Sequence, residues 1–233
     1  MDYGKLYGVG IGSGDPELIT VKAVKVLRSA DVIAVPETEN GVSSAYKIAG
    51  QYIKGKEILH CTLPMSKDYT ALEQNYLFIA ENIENILKSG KTVAFITLGD
   101  PSIYSTYMKI HTIVSSKGYD TVLIPGVPSF CAAAASLNTS LCDRDQMLLI
   151  LPANYEKALD LLDFPANKVL MKSGASVLKI RDMLLNRGKL KNSGMAECCG
   201  MENEKIYDWK ALKNLKRPTS YFSTILIKEG GHK

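Results

Sequence analysis

Three stretches of this chain carry residue types that could do chemistry at a strand end. They are Gly8-Val9-Gly10-Ile11-Gly12-Ser13-Gly14-Asp15-Pro16, then Thr97-Leu98-Gly99-Asp100-Pro101-Ser102-Ile103-Tyr104-Ser105-Thr106, and last Pro125-Gly126-Val127-Pro128-Ser129-Phe130, which runs on into Cys131 and an alanine run. Alternating glycines mean that the backbone either turns sharply or lets something approach closely, since glycine takes positive φ at little cost. They do not spell the dinucleotide fingerprint G-x-G-x-x-G, because from Gly8 the third position is Ser13 and from Gly10 it is Asp15. Ser89-Gly90-Lys91-Thr92 likewise lacks the first glycine of a phosphate-binding loop, Asn85 standing in its place. In the second stretch Gly99 and Asp100 stand where a ligand binds at a strand's carboxyl end, or Asp100 caps the following helix within a Gly-Asp-Pro turn; the residues alone leave both open. In the third, Pro128 suits a first helical turn and the alanines suit close packing of a helix on a sheet.

The elements that must position these loops alternate in type. Short β-rich runs at Leu6 to Val9, Asp31 to Val35, Glu57 to Cys61, Thr92 to Thr97 and Thr121 to Ile124 have the rhythm of a parallel α/β sheet. Between them, apolar residues at Tyr69, Leu72, Tyr76, Ile79, Ile83, Ile86 and Leu87 predict a long amphipathic helix that stops at Ser89-Gly90. A helix near Thr20 to Ser29, with Thr20 as N-cap, links the first two strands. A second α/β layer follows, with helices at Ser129 to Leu137, Tyr155 to Leu162 and Ser176 to Arg187 and strands at Met147 to Leu151, Lys168 to Met171, Met195 to Cys198 and Tyr221 to Ile227. The expected architecture is two α/β domains, 1–119 and 120–233, with the cleft between them as the natural place for a ligand.

At 233 residues, 46% hydrophobic and 22% charged, the chain has material for a packed core, which excludes disorder and coiled coil. No run approaches the ~20 apolar residues of a membrane span, and a cytoplasmic protein is expected. The net charge of +4 comes from scattered basic residues, with no stripe for nucleic acid. The five cysteines include no C-x-x-C pair, and only His60, His111 and His232 could join them, so no protein-bound metal is expected.

Taken together, in this order and spacing, the three motifs resemble the signatures of the tetrapyrrole methylase family over essentially the whole chain. The resemblance implies two α/β domains, S-adenosylmethionine held in the cleft between them, and a homodimer. Its Asp-Pro-Ser-x-Tyr-Ser-Thr and Pro-Gly-Val-Pro-Ser-Phe forms are most similar to the branch that methylates carbon 20 of precorrin-2 or of cobalt-factor II on the way to cobalamin. Carried over position by position, it implies cofactor contacts from Ser13, which replaces a frequent family proline, from Leu98, Gly99, Asp100 and Ile103, from Ser129 and Phe130, from Met171, and from Gly200. Asp100 would then attract the amino group of the methionine portion. No catalytic base is transferred, because Pro36 falls where some relatives have an acid; Glu37, Glu39 and Tyr104 are the acid–base groups on offer. Lys47, Lys67, Lys109 and Lys172 are candidate partners for the substrate's carboxylates. The competing readings are a family member acting on a different ring carbon, a nicotinamide-dependent α/β oxidoreductase, and a tetrapyrrole carrier.

Overall fold

A computed structural model describes residues 3–37, 43–64 and 68–230. The chain divides into two compact units, Met1–Pro128 and Ser129–Lys233.

In the first unit, β1 (Leu6–Gly10), β2 (Val32–Glu37), β3 (Glu57–Thr62), β4 (Val93–Thr97) and β5 (Thr121–Ile124) form one sheet in the order β3-β2-β4-β1-β5, every pair parallel. Helices α1 (Val21–Ser29) and α2 (Ser44–Ala49) cover one face, where Ala23, Leu27, Ala45 and Ile48 pack on Val9, Ile33, Val35 and Ile96. Helices α3 (Tyr69–Lys88) and α4 (Tyr107–Ser116) cover the other, where Ile79, Ile83, Tyr107 and Ile110 pack on Leu6, Val32, Ala34 and Phe95. Both faces are buried, which is why the inner strands read as continuous apolar runs. Local signals hold at the helix ends. Thr20 Oγ1 accepts the N–H of Ala23 at 3.1 Å, and Gly90 follows α3 with φ 81°.

The second unit departs from the expected parallel rhythm. Its strands β6 (Leu148–Pro152), β7 (Asn167–Met171), β8 (Ser193–Glu197), β9 (Lys205–Tyr207) and β10 (Ser223–Ile227) lie in the order β6-β7-β10-β8-β9. Only β6 and β7 are parallel; β10 enters between β7 and β8 antiparallel to both, and β8 returns as β9 through a short loop. Short connections favour antiparallel neighbours, because a parallel crossover needs a dozen or more residues. The helices are α5 (Ser129–Ser136), α6 (Glu156–Leu159), α7 (Val177–Asn186) and α8 (Trp209–Lys213), and Val177, Ile180, Leu184 and Leu212 pack on Leu170, Met195 and Ile225. β9 and α8 have too few residues to show a period.

Two boundaries differ from those read in the sequence. β5 pairs with β1, so 120–128 belong to the first unit and the division falls after Pro128 rather than at 119/120. β10 begins at Ser223, which leaves Tyr221 and Phe222 in the loop before it. No helix among the described residues is long and apolar enough to cross a membrane.

Candidate functional site

The carboxyl edge of the first sheet carries the glycine loops. As β1 leaves the sheet, the Ile11 N–H donates to Thr97 O at 3.0 Å, and the Gly99 N–H donates to Gly12 O at 2.7 Å. The first two motifs are thus joined strand to strand through an isolated Gly12–Gly99 bridge. The third motif lies against them: a Cβ on Gly10 would stand 2.6 Å from both Gly126 N and Gly99 O. Gly12 at φ 80° and Gly99 at φ 67° occupy the left-handed region, so these glycines serve close approach of backbone to backbone as well as sharp turns.

Asp100 ties this arrangement together. Its Oδ1 accepts the Ser102 N–H at 2.8 Å and the Ser102 hydroxyl, and its Oδ2 accepts the Gly126 N–H at 3.1 Å. Helix α4 does not start behind it; the helix begins at Tyr107, where Thr106 makes no side-chain cap. The carboxylate therefore caps a turn and a distant loop, and the helix-cap reading is corrected on that point. The intervening residues are fixed separately, by the Thr97 and Ser105 hydroxyls 3.0 Å apart and by the Ile103 N–H donating to Asp100 O at 3.3 Å.

Ser13 is 8% exposed, and its Oγ has no hydrogen-bond partner. A buried hydroxyl in that state costs about 1–3 kcal/mol until something satisfies it. Asp15, two residues on, is occupied: its Oδ1 accepts the Glu17 N–H at 2.8 Å and caps the turn at Pro16–Leu18. Leu98 packs on the apolar layer beneath the loop, and Ile103 is half-buried.

Two strands along the same edge, Glu37 at the end of β2 holds His60 of β3, Oε1 to Nδ1 at 2.7 Å. Glu37 was among the acid–base groups offered by sequence; His60 was not, because only strand register brings the two together. The neighbouring Cys61 thiol is pushed up to about 12 by burial and by the Glu37 charge. Tyr104 is exposed and held at φ 48°, while Glu39 and Lys67 lie outside the described residues.

In the second unit, Ser129 and the buried Phe130 open α5. β10 runs antiparallel to β7 and β8, so the ends of those two strands and the start of β10 share one sheet edge. Met171 ends β7 there, and Gly200, at φ 75°, follows β8 with its N–H donating to Glu204 Oε2 at 3.2 Å. Each unit thus gathers its own predicted residues at one edge, apart from the pair on α5.

Residues 5–213 match the model of the Tetrapyrrole (Corrin/Porphyrin) Methylases. The chain is 35% identical over 234 residues to a probable cobalt-precorrin-2 C(20)-methyltransferase of Methanocaldococcus jannaschii, covering 96% of each. It is 31% identical over 236 residues to a precorrin-2 C(20)-methyltransferase of Sinorhizobium sp, covering 96% of this chain and 95% of that one. Among solved structures it resembles cobalt precorrin-4 methyltransferase, with a TM-score of 0.72 at 25% identity, 96% of this chain and 94% of that chain being covered. With the family model matching residues 5–213 and relatives 31–35% identical covered over 96% of this chain, the chain belongs to the tetrapyrrole methylase family.

Proposed function

We propose that this protein transfers a methyl group from S-adenosylmethionine to carbon 20 of precorrin-2 or its cobalt complex, a step of corrin assembly. The observation that carries the reading is the agreement of full-length relatives bearing that activity in their names, at 31–35% identity, with the glycine-lined loop system of the first unit. Family membership sets aside the nicotinamide-dependent alternative.

The residues present fit the cofactor. The Ser13 hydroxyl is buried and unpartnered, as a group awaiting an acceptor or donor from a ligand would be. Gly99 carries no side chain at its left-handed backbone position, φ 67°, at this strand end, and Leu98 and Ile103 supply apolar surface for an adenosine. We assign Ser13, Leu98, Gly99, Asp100 and Ile103 of the first unit, and Ser129, Phe130, Met171 and Gly200 of the second, to holding it. When bound, the cofactor supplies a methyl group on a cationic sulfur, an electrophile that needs no metal. The chain's own task is positioning: rigid loops align the accepting carbon with the methyl–sulfur bond, an effect that can supply a large share of a methyl-transfer barrier. Asp100 serves first by fixing the Gly126 loop. Its remaining lone pairs leave it able to accept from the methionine ammonium as well.

The same reading includes a cytoplasmic homodimer. Exposed Leu77 and Phe78 on α3 are apolar side chains that self-association would cover. Anaerobic incubation of the protein with S-adenosylmethionine and cobalt-factor II or precorrin-2 tests the function. A mass gain of a single methyl group is expected, and no gain with either substrate contradicts it.

A further inference from the structure

Basic residues that look scattered along the sequence gather at one corner of the second unit. Residues 205–217 hold Lys205, Lys210, Lys213, Lys216 and Arg217 against one carboxylate, Asp208, a surplus as large as the +4 of the whole chain. β9 and α8 carry this stretch, and the turn Leu190–Asn192, which packs on α8, adds Lys191. All six cations are exposed. Among the described residues none of the six pairs with a carboxylate, whereas Arg181, Arg187 and Lys189 of the same unit pair with Asp182, Asp163 and Glu229. Asp208 is committed to the helix start, its Oδ1 accepting the Ala211 N–H at 2.8 Å. The corner therefore carries a positive field that the fold itself does not neutralise.

The single tryptophan of the chain, Trp209, stands among these cations. Lys210 Nζ lies 5.7 Å and Lys191 Nζ 6.0 Å from its ring centroid, so two like charges from separate elements are held beside one half-buried ring. Lys213, one helical turn after Trp209, shares its side of α8. β9 is the outermost strand of its sheet, and its Ile206 is 43% exposed. Register sets the tryptophan at the far edge of the sheet from the predicted cofactor residues. β8 and β9 are antiparallel, with Met195 opposite Tyr207 and Glu197 opposite Lys205. Lys191 thus precedes β8 and Trp209 follows β9 at one edge, while Gly200 follows β8 at the other, where Met171 ends β7.

We propose that the Trp209 corner is a docking surface for a second protein with a carboxylate-rich face, Trp209 anchoring the contact and Lys191, Lys210 and Lys213 pairing with the partner's carboxylates. Tryptophan is enriched among the side chains that anchor protein interfaces, and the charges around such an anchor select a partner of opposite sign. A partner seated on Trp209 leaves the Met171 and Gly200 edge of the sheet open. A nucleic acid fits less well, because the cations form a compact corner instead of a stripe, and Glu202 and Glu204 before β9 would oppose phosphates.

Because Trp209 is the sole tryptophan, its fluorescence reads this surface directly. Poly-L-glutamate, standing in for the partner's acidic face, is titrated into the whole protein and should change the emission saturably. Affinity should fall as salt rises from about 0.01 M to about 0.15 M and the screening length shrinks from ~30 Å to ~8 Å. Lys191→Ala combined with Lys210→Ala is expected to weaken binding roughly threefold to tenfold at an unchanged melting temperature. Lys22→Ala combined with Lys25→Ala, on the exposed side of α1, makes the same change in net charge and should leave binding as it is. Equal weakening in the two double variants, or no saturable change in the wild-type emission, overturns the proposal. Tighter binding of an oligothymidylate of equal charge also overturns it, since the surface would then be one for nucleic acid.

Discussion

Asp100 accepts the backbone N–H of Gly126 at 3.1 Å across 26 positions of sequence, joining the loop after β4 to the loop after β5. The same carboxylate closes its own turn at Ser102, so one side chain sets the mutual position of two of the three loop motifs.

Removing that carboxylate leaves two backbone N–H groups without their partner. Asp100→Ala is expected to lower stability by about 1–3 kcal/mol, read by urea unfolding, and to weaken S-adenosylhomocysteine binding because the loops lose register. Asp100→Asn keeps one acceptor and should recover part of the stability. If binding is lost in Asp100→Asn while stability returns to that of the wild type, the charge itself meets the ligand.

The glycine loop makes a second test. A methyl group on Gly10 would press on Gly126 N and Gly99 O at once, so Gly10→Ala is expected to cost about 1–3 kcal/mol by overpacking. Gly99→Val would add a β-branched side chain at φ 67° and is expected to lower stability together with S-adenosylhomocysteine binding. Thermal unfolding of both variants decides it; wild-type stability in Gly10→Ala would contradict the packing described.

Ser13→Ala separates folding from binding. Its hydroxyl has no partner within the fold, so the variant should be as stable as the wild type or slightly more so. If that hydroxyl meets the cofactor, S-adenosylhomocysteine affinity by calorimetry falls about threefold to tenfold. Unchanged affinity would remove Ser13 from the site.

Acid sensitivity should come in part from Glu229. Burial pushes its carboxyl up, but hydrogen bonds from Lys189 and Lys168 outweigh this and hold it below the usual carboxylate range. A folded-state value below the unfolded one gives stability that is present above the ordinary carboxylate value and is lost as pH falls through the folded one. At the fully buried Lys168, burial outweighs the same pair and lowers the ammonium. Glu229→Gln is therefore expected to flatten the loss of melting temperature as pH falls below the ordinary carboxylate value. An unchanged slope would contradict the role of the pair.

Features that depend on neighbours in sequence were legible before the fold was known. The period running from Tyr69 to Leu87 marked α3, Thr20 capped α1 where expected, and each of the three motifs fell at the end of a β-run. Features that depend on pairing were not. The Asp100–Gly126 bond and the Glu37–His60 pair join separate strands, and no local pattern encodes them. Tyr221 and Phe222 continue the apolar run of β10, so alternation could not distinguish two exposed loop aromatics from the strand behind them.

The central claim is methyl transfer to one particular carbon. The most direct measurement uses S-adenosylmethionine carrying a 13C methyl group, with cobalt-factor II or precorrin-2 under anaerobic conditions, and locates the label in the isolated product by NMR. The account predicts the label on carbon 20, with S-adenosylhomocysteine formed in equal amount. A label on any other ring carbon, or cofactor turnover without labelled tetrapyrrole, would contradict it.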